Sequence, residues 1–144
     1  MIYKAKKEDA SIVAELAIRM WPHHTLKDLT ADFEEIIAKE GAAVFLMTAG
    51  RIPMGFAQCQ LRHDYVEGTQ SSPVGYLEGI YISEDYRRQG CANKLLEKCQ
   101  DWAGEQGCRE FASDCEITNE ASYRFHLKMG FAEANRIICF TKQL

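Results

Sequence analysis

The chain has 144 residues, 47% of them apolar and 26% charged, and carries a net charge of −4. That is the material of one domain, spanning 1–144, with enough apolar side chains to bury a core. The acidic balance argues against a nucleic-acid binder, which would show a basic face. No apolar run reaches membrane-spanning length, and the N-terminus lacks the apolar segment of a secretory signal, so a soluble, cytoplasmic protein is expected.

Taken in order, residues 8–20 read as a helix with Ile12, Val13, Leu16, Ala17 and Met20 on one face, stopped by Trp21-Pro22. A second helix is expected from about Leu26 to Lys39, with Thr25 as its cap. Ala42–Thr48 and Ile52–Arg62 read as a hairpin around Ala49-Gly50-Arg51. Gly68–Pro73 is a polar connection to a strand at 74–82. A helix at 90–106, a strand near 109–113, a helix at 119–129 and two closing strands complete the order. No linker, repeat or low-complexity stretch divides it. Strands and helices alternating in this way indicate an α/β or α+β sandwich.

The stretch Arg87-Arg88-Gln89-Gly90-Cys91-Ala92 carries the clearest chemistry. It lies between the apolar strand Gly75–Ile82 and a helix whose Ala92, Leu95, Leu96, Cys99, Trp102 and Ala103 share one face. The unpaired N–H groups of a helix start attract an anion, and two arginines add charge and paired donors. The plainer alternative is an ordinary loop glycine flanked by solvated arginines. The glycines fall short of a dinucleotide fingerprint, and no Lys-Ser/Thr follows to make a nucleotide P-loop.

Six cysteines, at 59, 91, 99, 108, 115 and 139, form no Cys-x-x-Cys and no zinc spacing. Buried free thiols acting as small hydrophobes account for most of them, Cys99 being the clearest case.

Arg87-x-x-Gly90-x-Ala92 resembles the pyrophosphate-gripping signature of the GCN5-related N-acetyltransferases. Asn119 to Phe131 resembles that family's second helical motif, with Ser122 in place of alanine and His126 in place of the usual tyrosine. The resemblance implies a mixed, centrally splayed sheet flanked by helices, acetyl-coenzyme A as co-substrate, and no metal. It places the coenzyme on Ile80, Ile82, Arg87, Arg88, Gln89, Gly90, Cys91, Ala92, Asn93 and Asn119. Three further segments, Leu61–Gly68, Ser71–Gly79 and Cys108–Asp114, are similar to aminoglycoside 6'-N-acetyltransferases, as is the helix end Met20–His24. Shared fold alone would leave the acceptor open.

A polycationic amino sugar suits an acidic, water-accessible wall. Asp64, Glu67, Glu78, Asp114 and Glu116 all fall at strand ends or loops. Glu78 and Asp114 are the strongest of these, because Glu78 interrupts an apolar strand where a carboxylate is costly without a partner. Either is a candidate base or orienting group for the attacking amine. In the resemblance Trp21 and His24 line the sugar site, and Tyr65 reaches substrate across a homodimer. Backbone N–H groups around Ile80 would hold the tetrahedral intermediate. His126 stands where tyrosine usually protonates the leaving thiolate, with Tyr123 a second donor one turn earlier. Transfer to another small amine, a polyamine or a protein amine stays open, as does a non-catalytic acyl-coenzyme A sensor.

Overall fold

A computed structural model describes all 144 residues. Its centre is a five-stranded sheet in sequence order: β1 (Ile2–Lys4), β2 (Ala42–Ala49), β3 (Ile52–Arg62), β4 (Val74–Ile82) and β5 (Phe111–Ala112). The first four pair antiparallel, whereas β5 runs parallel to β4. Helices α1 (Ala10–Ala17), α2 (Leu26–Ala38), α3 (Cys91–Glu105) and α4 (Glu120–Lys128) cover the sheet.

The period-2 alternation of strands sorts the core into two layers. Val44, Leu46 and Phe56 pack with Val13, Ala17, Leu29 and Phe33 of α1 and α2. Their neighbours Phe45, Met47 and Ala57 pack with Leu95, Leu96, Cys99 and Trp102 of α3 on the opposite face. Burial on both faces explains why Ala42–Thr48 reads as a continuous apolar run rather than an alternating one.

Most element boundaries match the sequence expectation within a residue or two. The first helix is shorter than expected: a 3-10 turn at Lys7–Asp9 leads into α1, which ends at Ala17 and passes through turns to Met20. The two closing strands are absent. Residues 132–144 take no regular secondary structure, and Ile138 and Phe140 are exposed. A strand exists only where a neighbour accepts its backbone hydrogen bonds, and apolar composition alone does not supply one.

All six cysteines are free: Cys59, Cys91 and Cys99 are buried, Cys108 and Cys115 half-buried, and Cys139 exposed. The description as buried small hydrophobes therefore holds for three of them. A hydrogen bond with Cys59, together with burial, pushes the Cys99 thiol up.

Two irregularities shape the centre of the sheet. Gln58 pairs with Gly79 but Cys59 with Leu77, so Glu78 is an extra residue bulged out of β4. The bulge reverses the alternation. Gly75 and Leu77 face α3 before it, and Ile80 and Ile82 face α3 after it. The second irregularity is that β4 and β5 pair only at Gly75–Phe111 and Tyr76–Ala112. Beyond Tyr76, the flank of β4 towards β5 has no ladder partner, and the sheet forks.

Candidate active site

Glu78 leans over the face shared with α1 and α2, and a guanidinium holds it. Arg62 Nη2 lies 2.9 and 3.0 Å from its two carboxylate oxygens, and Arg62 Nε lies 3.1 Å from Oε1. The same guanidinium sits 3.4 Å above the centre of the Tyr76 ring. Tyr76 Oη donates to Asp114 Oδ2 at 2.5 Å. The two candidate carboxylates are thus ends of one network, Glu78–Arg62–Tyr76–Asp114. Desolvation and the Asp114 carboxylate push the Tyr76 phenol far above its ordinary value, so it stays a donor to Asp114.

Trp21 closes one side of this wall. Its ring lies over Gly79, where an added Cβ would stand 3.3 Å from Cη2. The missing side chain at Gly79 gives the indole its seat. Trp21 and His24 line a cleft of about 270 Å³ with Leu29, Asp32, Phe33, Ile36 and Gln58. Tyr65 lies on the β3–β4 loop, 75% exposed, and no hydrogen bond ties its hydroxyl to the network.

The other half of the site lies at the start of α3. Gly90 caps the helix with φ +78°, and Arg88 before it holds φ +62°, a left-handed conformation that an L side chain rarely adopts. The nearest intrahelical bond is Lys94 N–H to the Gly90 carbonyl, so the N–H groups of Cys91, Ala92 and Asn93 lack helical acceptors. Arg87 is tied down: its Nε donates to the Ile82 carbonyl at 2.8 Å, leaving the terminal nitrogens free.

Other expected coenzyme residues have structural work as well. Gln89 donates to the Asp85 carbonyl, Asn93 to Glu97, and Asn119 Oδ1 caps α4 by accepting from Ser122 N–H. The Cys91 side chain joins the core, so it can offer a ligand only its backbone. Ile80 and Ile82 flank the fork on the α3 side.

His126 lies on α4 with both ring nitrogens engaged, Nδ1 2.7 Å from the Ser122 carbonyl and Nε2 2.8 Å from Ser113 Oγ. Tyr123 instead points to Glu133, at 3.2 Å. No three His, Cys, Asp or Glu side chains gather closely enough to hold a metal ion.

Sequence reasoning left Arg62, Tyr76 and Ser113 without roles. A signal existed for Tyr76, because alternation before the bulge puts it on one face with Glu78. The Arg62–Glu78 pair depends on strand register, which one strand does not reveal.

A helix start with unpaired N–H groups and an acidic, aromatic wall thus lie on opposite faces of a forked sheet, an arrangement that suits two-substrate group transfer. The chain belongs to the acetyltransferase (GNAT) family, whose model matches residues 10–131. It is 44% identical to an aminoglycoside N(6')-acetyltransferase type 1 of Serratia marcescens, covering 91% of this chain and 92% of that one. It is 37% identical to one from Stenotrophomonas maltophilia, covering 99% and 93%. Among solved structures, AAC(6')-Iy in complex with the bisubstrate analogue CoA-S-monomethyl-acetylneamine superposes with a TM-score of 0.95 at 37% identity, covering 100% of this chain and 98% of that one. AAC(6')-Ih from Acinetobacter baumannii superposes at 0.89 with 32% identity, covering 100% and 98%.

Proposed function

We propose that residues 1–144 act as one domain that transfers an acetyl group from acetyl-coenzyme A to the 6'-amino group of aminoglycosides, by direct transfer in a ternary complex, and so confers resistance to them. The carrying observation is the joint placement of the two half-sites. The Arg87–Gly90 loop offers backbone donors and free guanidinium nitrogens to a diphosphate. Glu78, Asp114 and Trp21 offer charge and an aromatic floor to a polycationic sugar. Both sides meet at the bulge and fork, where unpaired β4 backbone can stabilise a tetrahedral oxyanion. The amine must lose a proton before attack, and Glu78 and Asp114 are the groups on that face able to accept or orient it.

The test compares kanamycin and tobramycin with a polyamine and an N-terminal peptide as acceptors, with product mass and acetylation site determined. One added acetyl group at the 6'-amine, with kcat/KM well above that of the other amines, is the expected result. A polyamine or peptide acetylated more efficiently would move the assignment to that acceptor. Tight coenzyme binding without turnover on any amine would make the protein a sensor.

The same reading includes a homodimer in the cytoplasm, where acetyl-coenzyme A is available. No helix is long and apolar enough to cross a membrane. What supports a dimer is the apolar tail, with Ile138 79% and Phe140 87% exposed. Asn135 ties its start to Glu67 of the loop that carries Tyr65. Sedimentation of the parent and of a chain ending at Phe131 should show a dimer and a monomer. A monomeric parent at micromolar concentration sinks the idea.

A further inference from the structure

Ser113 follows the last residue of β5, at the mouth of the fork. It and its sequence neighbour face opposite ways: Asp114 joins Tyr76 on the α1–α2 side, and Ser113 turns to the side of α3 and α4. Ser113 Oγ meets groups from two elements, His126 Nε2 at 2.8 Å and the Leu77 carbonyl of β4 at 3.4 Å.

The protonation pattern follows from the partners. A carbonyl only accepts, so His126 Nδ1, 2.7 Å from the Ser122 carbonyl, carries a hydrogen. In the neutral ring Nε2 is then a bare acceptor, and the Ser113 hydroxyl donates to it. Phe125 meets the imidazole edge-on at 5.5 Å and Phe131 lies 5.2 Å away, which fixes the ring plane. When the ring gains a second proton, Nε2 becomes the donor and the serine hydrogen is released towards the fork. The only other acceptor near it is the Leu77 carbonyl, at a distance long for an O–H···O bond.

We propose that Ser113 protonates the thiolate that departs as acetyl-coenzyme A loses its acyl group, with His126 supplying the replacement proton. This rests on the fork being the acetyl-transfer site. As the tetrahedral intermediate collapses, its C–S bond breaks and the electron pair goes to sulfur. The Ser113 O–H bond breaks as S–H forms. The Nε2–H of the imidazolium passes to Ser113 Oγ, leaving His126 neutral until solvent returns its proton. His126 acts through the serine because neither ring nitrogen is free to reach sulfur. The carboxylates of the fork lie on the other face of the sheet, Asp114 on Tyr76 and Glu78 on Arg62.

A purely structural latch between α4 and β5 would also use this pair, and the leaving group separates the two roles. Single-turnover acetylation of kanamycin is measured with acetyl-coenzyme A and with its selenoester analogue, whose selenolate leaves without a proton. Ser113→Ala should slow the thioester reaction by about 10²-fold and leave the selenoester reaction near the parent rate. Coenzyme A affinity should be unchanged. His126→Phe should repeat the pattern, and Ser113→Thr, which keeps the hydroxyl, should restore the thioester rate. Equal losses with both donors, or none with either, overturn the proposal. A different failure, a parent that ignores kanamycin but acetylates another amine, counts against the acceptor alone. The donor contrast is then read with that amine, since the thiolate leaves whatever the acceptor.

Discussion

Glu78→Gln and Asp114→Asn should each lower kcat/KM for kanamycin, by about 10²–10⁴-fold for whichever carboxylate takes the amine proton. The KM for acetyl-coenzyme A should hardly change. The amide at Glu78 also removes the anion from a bidentate pair, so Arg62 loses its partner and its hold over the Tyr76 ring weakens. At Asp114 the amide still accepts from Tyr76 through its carbonyl, so the wall should keep its shape while losing charge. Salt distinguishes the roles. A defect caused by weaker attraction for a polycation shrinks as ionic strength rises, and one caused by a missing base persists. Arg62→Ala is the companion variant. With the guanidinium gone, Glu78 loses its fixed orientation, and kcat/KM should fall even though both carboxylates remain. Kanamycin turnover at the parent rate in both amide variants would remove the acidic wall from the mechanism.

What the sequence makes legible is local. The strand Val74–Ile82 and the cap Thr25, whose hydroxyl accepts from Asp28 N–H, follow from periodicity and neighbour chemistry. The proposed anion loop is equally local, since glycine, arginines and helix start lie within one short stretch, Arg87–Ala92. The site's internal wiring is not. The pairing of Arg62 with Glu78 requires the β3–β4 register and the bulge that re-aims Glu78, both set by two strands together. His126 reads from sequence as a substitute acid, but α4 turns it onto Ser113, an interaction with no periodic signature. The tail fails in the opposite sense. Ile137, Ile138 and Phe140 have strand-forming side chains, but β5 pairs over only two residues and no strand of this chain lies beside them.

The proposed coenzyme loop yields the other large effect, and the structure divides it between its two arginines. Alanine at both Arg87 and Arg88 should weaken coenzyme A binding by about 1.5–3 kcal/mol for each charge-assisted hydrogen bond to phosphate that the guanidinium groups no longer make. The single variants should differ in kind. Arg87 commits Nε to the Ile82 carbonyl, so Arg87→Lys keeps the charge but unties the loop from the end of β4. Arg88 holds φ +62°, a conformation costing about 1–2 kcal/mol for an L residue and nothing for glycine. Arg88→Gly therefore removes the charge while keeping the loop's shape, and protein stability should hold or rise. Calorimetric titration with coenzyme A and with a pantetheine fragment lacking the diphosphate tests this. Arg88→Gly should weaken only coenzyme A, because the fragment has no phosphate for the guanidinium to meet. Arg87→Lys should weaken both ligands, since Ile82 and the strand end beside the fork move with the loop. An unchanged coenzyme A affinity in the double alanine variant would place the diphosphate somewhere other than the start of α3.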